Sequence, residues 1–210
     1  MSNRIFFLPV LLVSFLLSAG LAQAETVRML PARDGNFNYT WLQGGFEFGR
    51  IETPRADVSS IFAEGSWALD EHLFLLGGMR FFDGDMHSPG FSGSGPDVDG
   101  HRLQAGMGFN TRLDDGLDLV LAAQVIRVHA SVEDHGSGSE HGFDLRGGVR
   151  YQASEQVELA GGAFLEDVAR SELGFYGEGL YHLRPQLDLG VRLALGDDVS
   201  TVGLFARFGF

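Results

Sequence analysis

Apolar and polar residues alternate along this chain in ten separate stretches, each long enough for one β-strand. A strand has period two, so each stretch presents one apolar and one polar face. In Tyr39–Arg50, the residues Leu42, Gly44, Phe46 and Phe48 share a face, opposite Tyr39, Trp41, Gln43 and Glu47. The same pattern runs through Val58–Leu69, Leu73–Phe82, His101–Thr111, Leu117–Ala130, Gly142–Tyr151, Val157–Asp167, Glu172–Leu183, Leu187–Leu195 and Val199–Phe210. The fifth stretch is the least regular. Val120 and Ile126 put apolar groups on its polar face, which predicts either a bulge or a packed interior.

The connections add an asymmetry. Short turns follow the even stretches: Asp70–His72, Arg112–Gly116, Gln152–Gln156 and Arg184–Gln186. The longest connections, Asp83–Gly100 and Ser131–His141, follow odd ones. An even strand number, short turns at one end and long loops at the other predict an all-β, transmembrane antiparallel up-and-down barrel. Ten strands are expected, or eight if the fifth stretch or a late hairpin does not pair. The short turns would face the periplasm, and Trp41, Trp67, Tyr151, Tyr181 and Phe210 would form an aromatic girdle near them. A soluble lipocalin-like barrel alternates in the same way, so the two ends of the chain have to separate these readings.

Both ends favour the membrane. The last stretch alternates back from Phe210 through Phe208, Ala206, Leu204 and Val202, and a chain ending on Phe after such a strand looks like the C-terminal assembly signal of bacterial outer-membrane barrels. At the other end, Arg4, the apolar run Ile5–Leu17 and Ala22-Gln23-Ala24 read as a secretory signal peptide cleaved after Ala24. The apolar run is short for a spanning helix, which needs about 20 residues. The expected organisation is a signal peptide over 1–24, a periplasmic segment over 25–38 and the barrel over 39–210.

Composition narrows the chemistry. There is no Cys, so neither disulfides nor thiol chemistry enters. All 15 basic residues are Arg, and the net charge of −13 becomes −14 without Arg4, which excludes a nucleic-acid-binding role. The Gly pairs 44–45, 77–78, 147–148 and 161–162 fall inside apolar runs, where they permit bending and close approach in a small barrel. The polar faces would carry Arg80, Arg102, Arg146, Arg150, Arg192 and Arg207 against Glu47, Glu64, Asp118, Asp144, Glu158, Glu166, Glu178 and Asp188. In a barrel this narrow, such a set is expected to pair and fill the lumen rather than line a wide pore.

Five of the seven His lie at the long-loop end, among Asp83, Asp85, Asp97, Asp99, Glu133, Asp134 and Glu140. His with carboxylates suits zinc, copper or nickel, which makes His129, His135, His141 and Glu133 weak metal candidates; no known ligand spacing is matched, and no cofactor is expected. Ser131, His129 and Asp134 are the best hydrolytic set, but they lie outside any nucleophile-elbow context, so no catalytic residue is assigned.

Tyr39–Phe46, Glu64–Leu69 and Phe74–Gly78 are similar to a family of small outer-membrane barrels from xanthomonad-type proteobacteria. Members have been described as immunity-eliciting or quorum-sensing proteins and look like components of outer-membrane vesicles. The family's Glu before the first Gly pair is Gln43 here. The resemblance implies location and fold, not chemistry. The combined expectation is a non-enzymatic outer-membrane protein with an envelope-structural or surface-interaction role through 83–100 and 131–141. Its partners would be outer-membrane lipid and lipopolysaccharide, the barrel assembly machinery and a surface partner. A narrow porin-like channel is the alternative, and a barrel enzyme acting on lipid A or peptides ranks below it.

Overall fold

All ten alternating stretches become strands in the computed structural model, which describes residues 37–52, 55–86, 96–133 and 136–210. They are β1 (Trp41–Glu52), β2 (Arg55–Ala68), β3 (Leu73–Met86), β4 (Asp97–Asp114), β5 (Leu117–Val132), β6 (Gly136–Ser154), β7 (Val157–Val168), β8 (Arg170–Arg184), β9 (Leu187–Gly196) and β10 (Val199–Gly209). Each pairs antiparallel with its sequence neighbours, and β1 pairs with β10 from Trp41↔Gly209 to Ile51↔Val199. That last ladder closes the sheet, so no strand edge is left without a partner. The expected signal peptide, residues 1–24, and most of 25–38 lie outside the described residues.

Two expected loops are entered by strand from both sides. β3 runs on to Met86 and β4 begins at Asp97, while β5 reaches Val132 and β6 begins at Gly136. Ser131–His141 reads as loop because it is rich in Gly and Ser, which have low strand preference. Continuous pairing with β5, from Ser131↔Ser137 to Arg127↔His141, recruits it nonetheless. β4, β5 and β6 are therefore the longest strands, at 18, 16 and 19 residues, and β9 and β10 the shortest, at 10 and 11. Below, the barrel's two ends are called the turn end and the tall end.

The fifth strand settles the choice left open by its sequence. Its register with β4 is continuous from Val98↔Val132 to Arg112↔Asp118, and the irregularity comes only beyond Arg112, beside the turn. Ile126 points inward and is 3% exposed, so the interior is packed rather than the strand bulged. The outer face carries Phe46, Trp67, Leu75, Met107, Leu121, Phe175, Val191 and Leu204, all exposed. Trp41 departs from the expected girdle. It shares parity with the buried Gln43 and Glu47, and its ring lies 4.4 Å from the Arg207 guanidinium inside the barrel.

Large inward side chains need space on neighbouring strands, and glycine supplies it. A Cβ at Gly108 would lie 2.1 Å from the Phe74 ring, and one at Gly190 would lie 2.2 Å from the Phe205 ring. Phe62, Leu180 and Phe205 form a small apolar cluster within the lumen, where Arg and Glu pack around them.

Candidate functional site

Every charged residue expected in the lumen faces it, and the ion pairs cross the bore. Arg80 Nη2 lies 2.8 Å from Glu47 and 4.0 Å from Glu64. Arg192, on β9, reaches Glu64 on β2 at 3.0 Å and Glu178 at 3.6 Å. Glu178 also pairs with Arg207, which lies 4.0 Å from Glu158, and Glu158 in turn pairs with Arg150 at 2.8 Å. The result is one chain of alternating charge: Glu47, Arg80, Glu64, Arg192, Glu178, Arg207, Glu158, Arg150. Gln43 stitches it laterally, donating to Glu64 at 2.8 Å and accepting from Arg207 Nε at 2.7 Å.

The remaining lumenal charges are also engaged. Arg102 donates to both Glu166 oxygens, at 2.7 and 2.8 Å, from three strands away. Arg146 pairs at 2.9 Å with Asp144, which is fully buried. The Tyr39 hydroxyl donates to Asp118 at 3.0 Å, and His182 Nδ1 lies 2.7 Å from Asp188. Six arginines thus meet six carboxylates, while a tyrosine and a histidine engage the other two. Buried charge is tolerable only with such partners.

Aromatic rings are interleaved with the guanidinium groups. Arg192 is held between Phe62 and Phe205, with centroid distances of 4.3 and 4.8 Å. Arg150 is held between Phe37 and Tyr39, both at 4.6 Å. A guanidinium offers edge donors to carboxylates and flat faces to rings, so one Arg both neutralises and fills space. The sequence parity that identifies Glu64 as lumenal applies equally to Phe62, which composition-based reading of charges overlooks.

At the turn end, residues 37–40 run beneath the barrel. Arg150 donates to the Asn38 carbonyl at 3.3 Å, and the Asn38 amide donates to the Phe210 carbonyl at 3.3 Å. Between this segment and the β8–β9 turn lies a cavity of about 440 Å³, lined in part by Trp41, Arg150, Gln152, His182, Arg184 and Arg207. Phe208 and Phe210, the expected assembly signal, meet edge-to-face at 5.1 Å.

At the tall end the polarity of the wall is reversed. Asp57, Asp83, Asp85, Asp97, Asp99, Arg127, His129 and His141 share the parity of the outward apolar residues, while Val58, Phe82, Val98, Val128, Ala130 and Val132 face in. Asp57, Asp85 and Asp97 lie side by side on β2, β3 and β4, and Asp83 lies opposite Asp99. Of the expected metal candidates, His129 and His141 share the outer face of β5 and β6. Glu133 stands past the end of β5, and His135 lies outside the described residues. The hydrolytic set does not assemble around Ser131: His129 Nδ1 contacts Ser139 Oγ at 2.9 Å, and Asp134 lies outside the described residues.

A closed sheet with an apolar outer belt around a charged, packed interior is the arrangement of transmembrane β-barrels. No protein-family model matches the chain, and no curated protein matches it significantly. Among solved structures it resembles the NanC porin, with 9% identity and a TM-score of 0.49, covering 81% of this chain and 100% of the porin. It also resembles the translocator domain of the autotransporter NalP from Neisseria meningitidis, with 12% identity, a TM-score of 0.48 and coverage of 94% and 97%. Neisserial surface protein A gives 13% identity, a TM-score of 0.43 and coverage of 81% and 96%. At such values the architecture of this chain rests on its own strand register.

Proposed function

We propose that this chain is a non-enzymatic outer-membrane barrel whose lumen is closed and which serves a surface-interaction or envelope role through the tall-end connections 83–100 and 131–141. The observation that carries the reading is the alternating charge chain from Glu47 to Arg150, which spans the bore and is packed with aromatic rings. A path for solute would need these pairs to separate inside a low-dielectric interior, which is costly. The apolar belt and the signal-like segment 1–24 support the outer membrane, with the turn end in the periplasm. On this reading the lipid partners are the acyl chains against the belt and the lipopolysaccharide headgroups around the tall wall.

A narrow channel is the second reading, favoured by the cavity of about 440 Å³ at the turn end. Planar-bilayer recording separates the two. The closed reading expects a folded barrel with no stable conductance, and a surface phenotype that disappears when the tall hairpins are shortened. Reproducible conductance steps that change on Arg192→Ala would establish the channel instead.

A further inference from the structure

The register of β4 and β5 sets His101 directly opposite His129. Both stand on the outer face, because the adjacent Arg102 turns inward to Glu166 and Val128 alternates inward on β5. Their ring centroids are 5.3 Å apart, with planes inclined by 37°. Two imidazoles on one tetrahedral zinc, with Zn–N distances of about 2.0–2.1 Å, also place their ring centres about 5 Å apart. The two rings therefore already stand at a chelating separation.

The surroundings fix the rings and favour a cation. His129 Nδ1 is held at 2.9 Å by the Ser139 hydroxyl from β6, which leaves Nε2 as its free ring nitrogen. Metal-binding imidazoles are oriented in this way, one nitrogen hydrogen-bonded and the other on the metal. His101 rests beside the Phe81 ring. Asp99 lies two residues from His101 on the same face, with Asp83 opposite it, so carboxylates outnumber the one nearby guanidinium, Arg127, which lies two residues from His129. His141, opposite Arg127, is diagonal to His129 on that face, at a distance long side chains bridge. Among the described residues no group of three or more His or carboxylates is placed to hold a metal, so the histidine pair alone would supply the protein's donors.

We propose that His101 and His129 form a bis-imidazole site on the outer wall for zinc, copper(II) or nickel. Nitrogen donors exclude magnesium and calcium, which take oxygen. The site does not depend on whether the lumen conducts.

The test uses the full barrel, purified from membranes without an affinity tag and kept in detergent. Calorimetry with Zn²⁺ is expected to show one ion per chain at micromolar affinity. His101→Ala and His129→Ala should each weaken binding by about tenfold or more, and Ser139→Ala by less, whereas His72→Gln leaves it unchanged. Cu²⁺ bound to the unaltered chain should show hyperfine coupling to at least two imidazole nitrogens by electron paramagnetic resonance. That second readout needs no variant to fold. Absence of Zn²⁺ binding, equal affinity in the His101→Ala/His129→Ala double variant, or coupling to a single nitrogen would each overturn the site.

Discussion

Along β4 and β5 the same alternation has opposite meanings at two heights. In the barrel's middle, Leu103, Met107, Leu121 and Val125 point out, while Gln104, Asn110, Gln124 and Asp118 point in. Two residues above Val125 the outward side chain is Arg127, followed by His129 and Ser131, and the inward ones become Val128, Ala130 and Val132. Backbone geometry does not change across this boundary, and the ladder is unbroken. On the outer-membrane reading proposed above, what changes is the medium outside. Lipid selects apolar side chains for the outer face and leaves charges to pair within, whereas above the apolar belt polar side chains occupy the outer face and the wall packs its apolar ones inside.

The largest expected effect lies in the lumen, where charge has no water to fall back on. Arg192→Met leaves Glu64 and Glu178 without their shared partner and should cost about 3–5 kcal/mol in urea unfolding of the detergent-folded barrel. Replacing all three, as Arg192→Met/Glu64→Leu/Glu178→Leu, should recover most of that loss, because well-packed apolar groups can substitute for a buried ion network. Arg127→Gln, on the outward face of the wall, should change stability by no more than about 0.5 kcal/mol. A small cost for Arg192→Met would mean that water reaches the chain of charges, and the closed-lumen reading would fall with it.

The boundary itself is sharpened by placing one charge at two heights. Val125 is 68% exposed on the outer face, within the belt. Val125→Arg should cost up to about 2–4 kcal/mol when the barrel is folded into lipid vesicles, more the nearer it lies to the bilayer midplane. Ser131→Arg, six residues higher on the same face, should cost about 0–1 kcal/mol. Equal costs would move the lipid boundary above β5's outer end.

The strands were legible in the sequence because period two needs only local residues. Parity also placed Arg80, Arg192, Glu64 and Glu178 inside. That they pair was expected, but which residue meets which was not legible. Arg192 and Glu64 are 128 residues apart, and they meet only because β10 and β1 close the sheet between their strands. The contact of His101 with His129 is likewise a consequence of register, and a shift of one residue would send either ring to the other face. The strand ends Asp83–Met86, Asp97–Gly100, Ser131–Val132 and Gly136–His141 were read as loop because the polarity rule for lipid-facing strands inverts there, so a search for apolar-out alternation stops four residues short on β3 and β4, two on β5 and six on β6. Trp41 was assigned to the girdle by its residue type, although its parity with Gln43 already pointed inward.

A smaller effect tests the turn end. The Tyr39 hydroxyl donates to the buried Asp118, and its ring stacks on Phe74 with centroids 5.0 Å apart. Tyr39→Phe keeps the stacking and removes one donor to Asp118, so the expected cost is about 1–3 kcal/mol. Tyr39→Leu should cost more, since it also releases one face of Arg150. If both substitutions were silent, the segment beneath the barrel would not be part of its folded core.

The smallest effect belongs to the acidic wall, and its sign follows from proton linkage. A hydrogen bond with the Asp85 carboxyl, more than slight desolvation or the charges of Glu133, Asp85 and Asp83, holds the Asp97 carboxyl above the ordinary aspartate range. The folded wall therefore binds this proton more tightly than the unfolded chain does. The stabilisation is complete below the unfolded value, near 4, and is lost as pH rises through the higher folded value. Asp97→Asn keeps a side chain that can bond to Asp85 without a proton to lose. The unaltered barrel should lose urea resistance relative to Asp97→Asn as pH rises from about 4 toward neutrality. Added salt should narrow the gap, because these side chains are exposed to solvent and screened. The whole chain is acidic, so a general loss of stability with rising pH is common to both proteins; only the difference between them reports the wall. A constant difference across that range would mean that Asp85 and Asp97 do not share a proton, and that the outward acids stand apart as independent, fully hydrated charges.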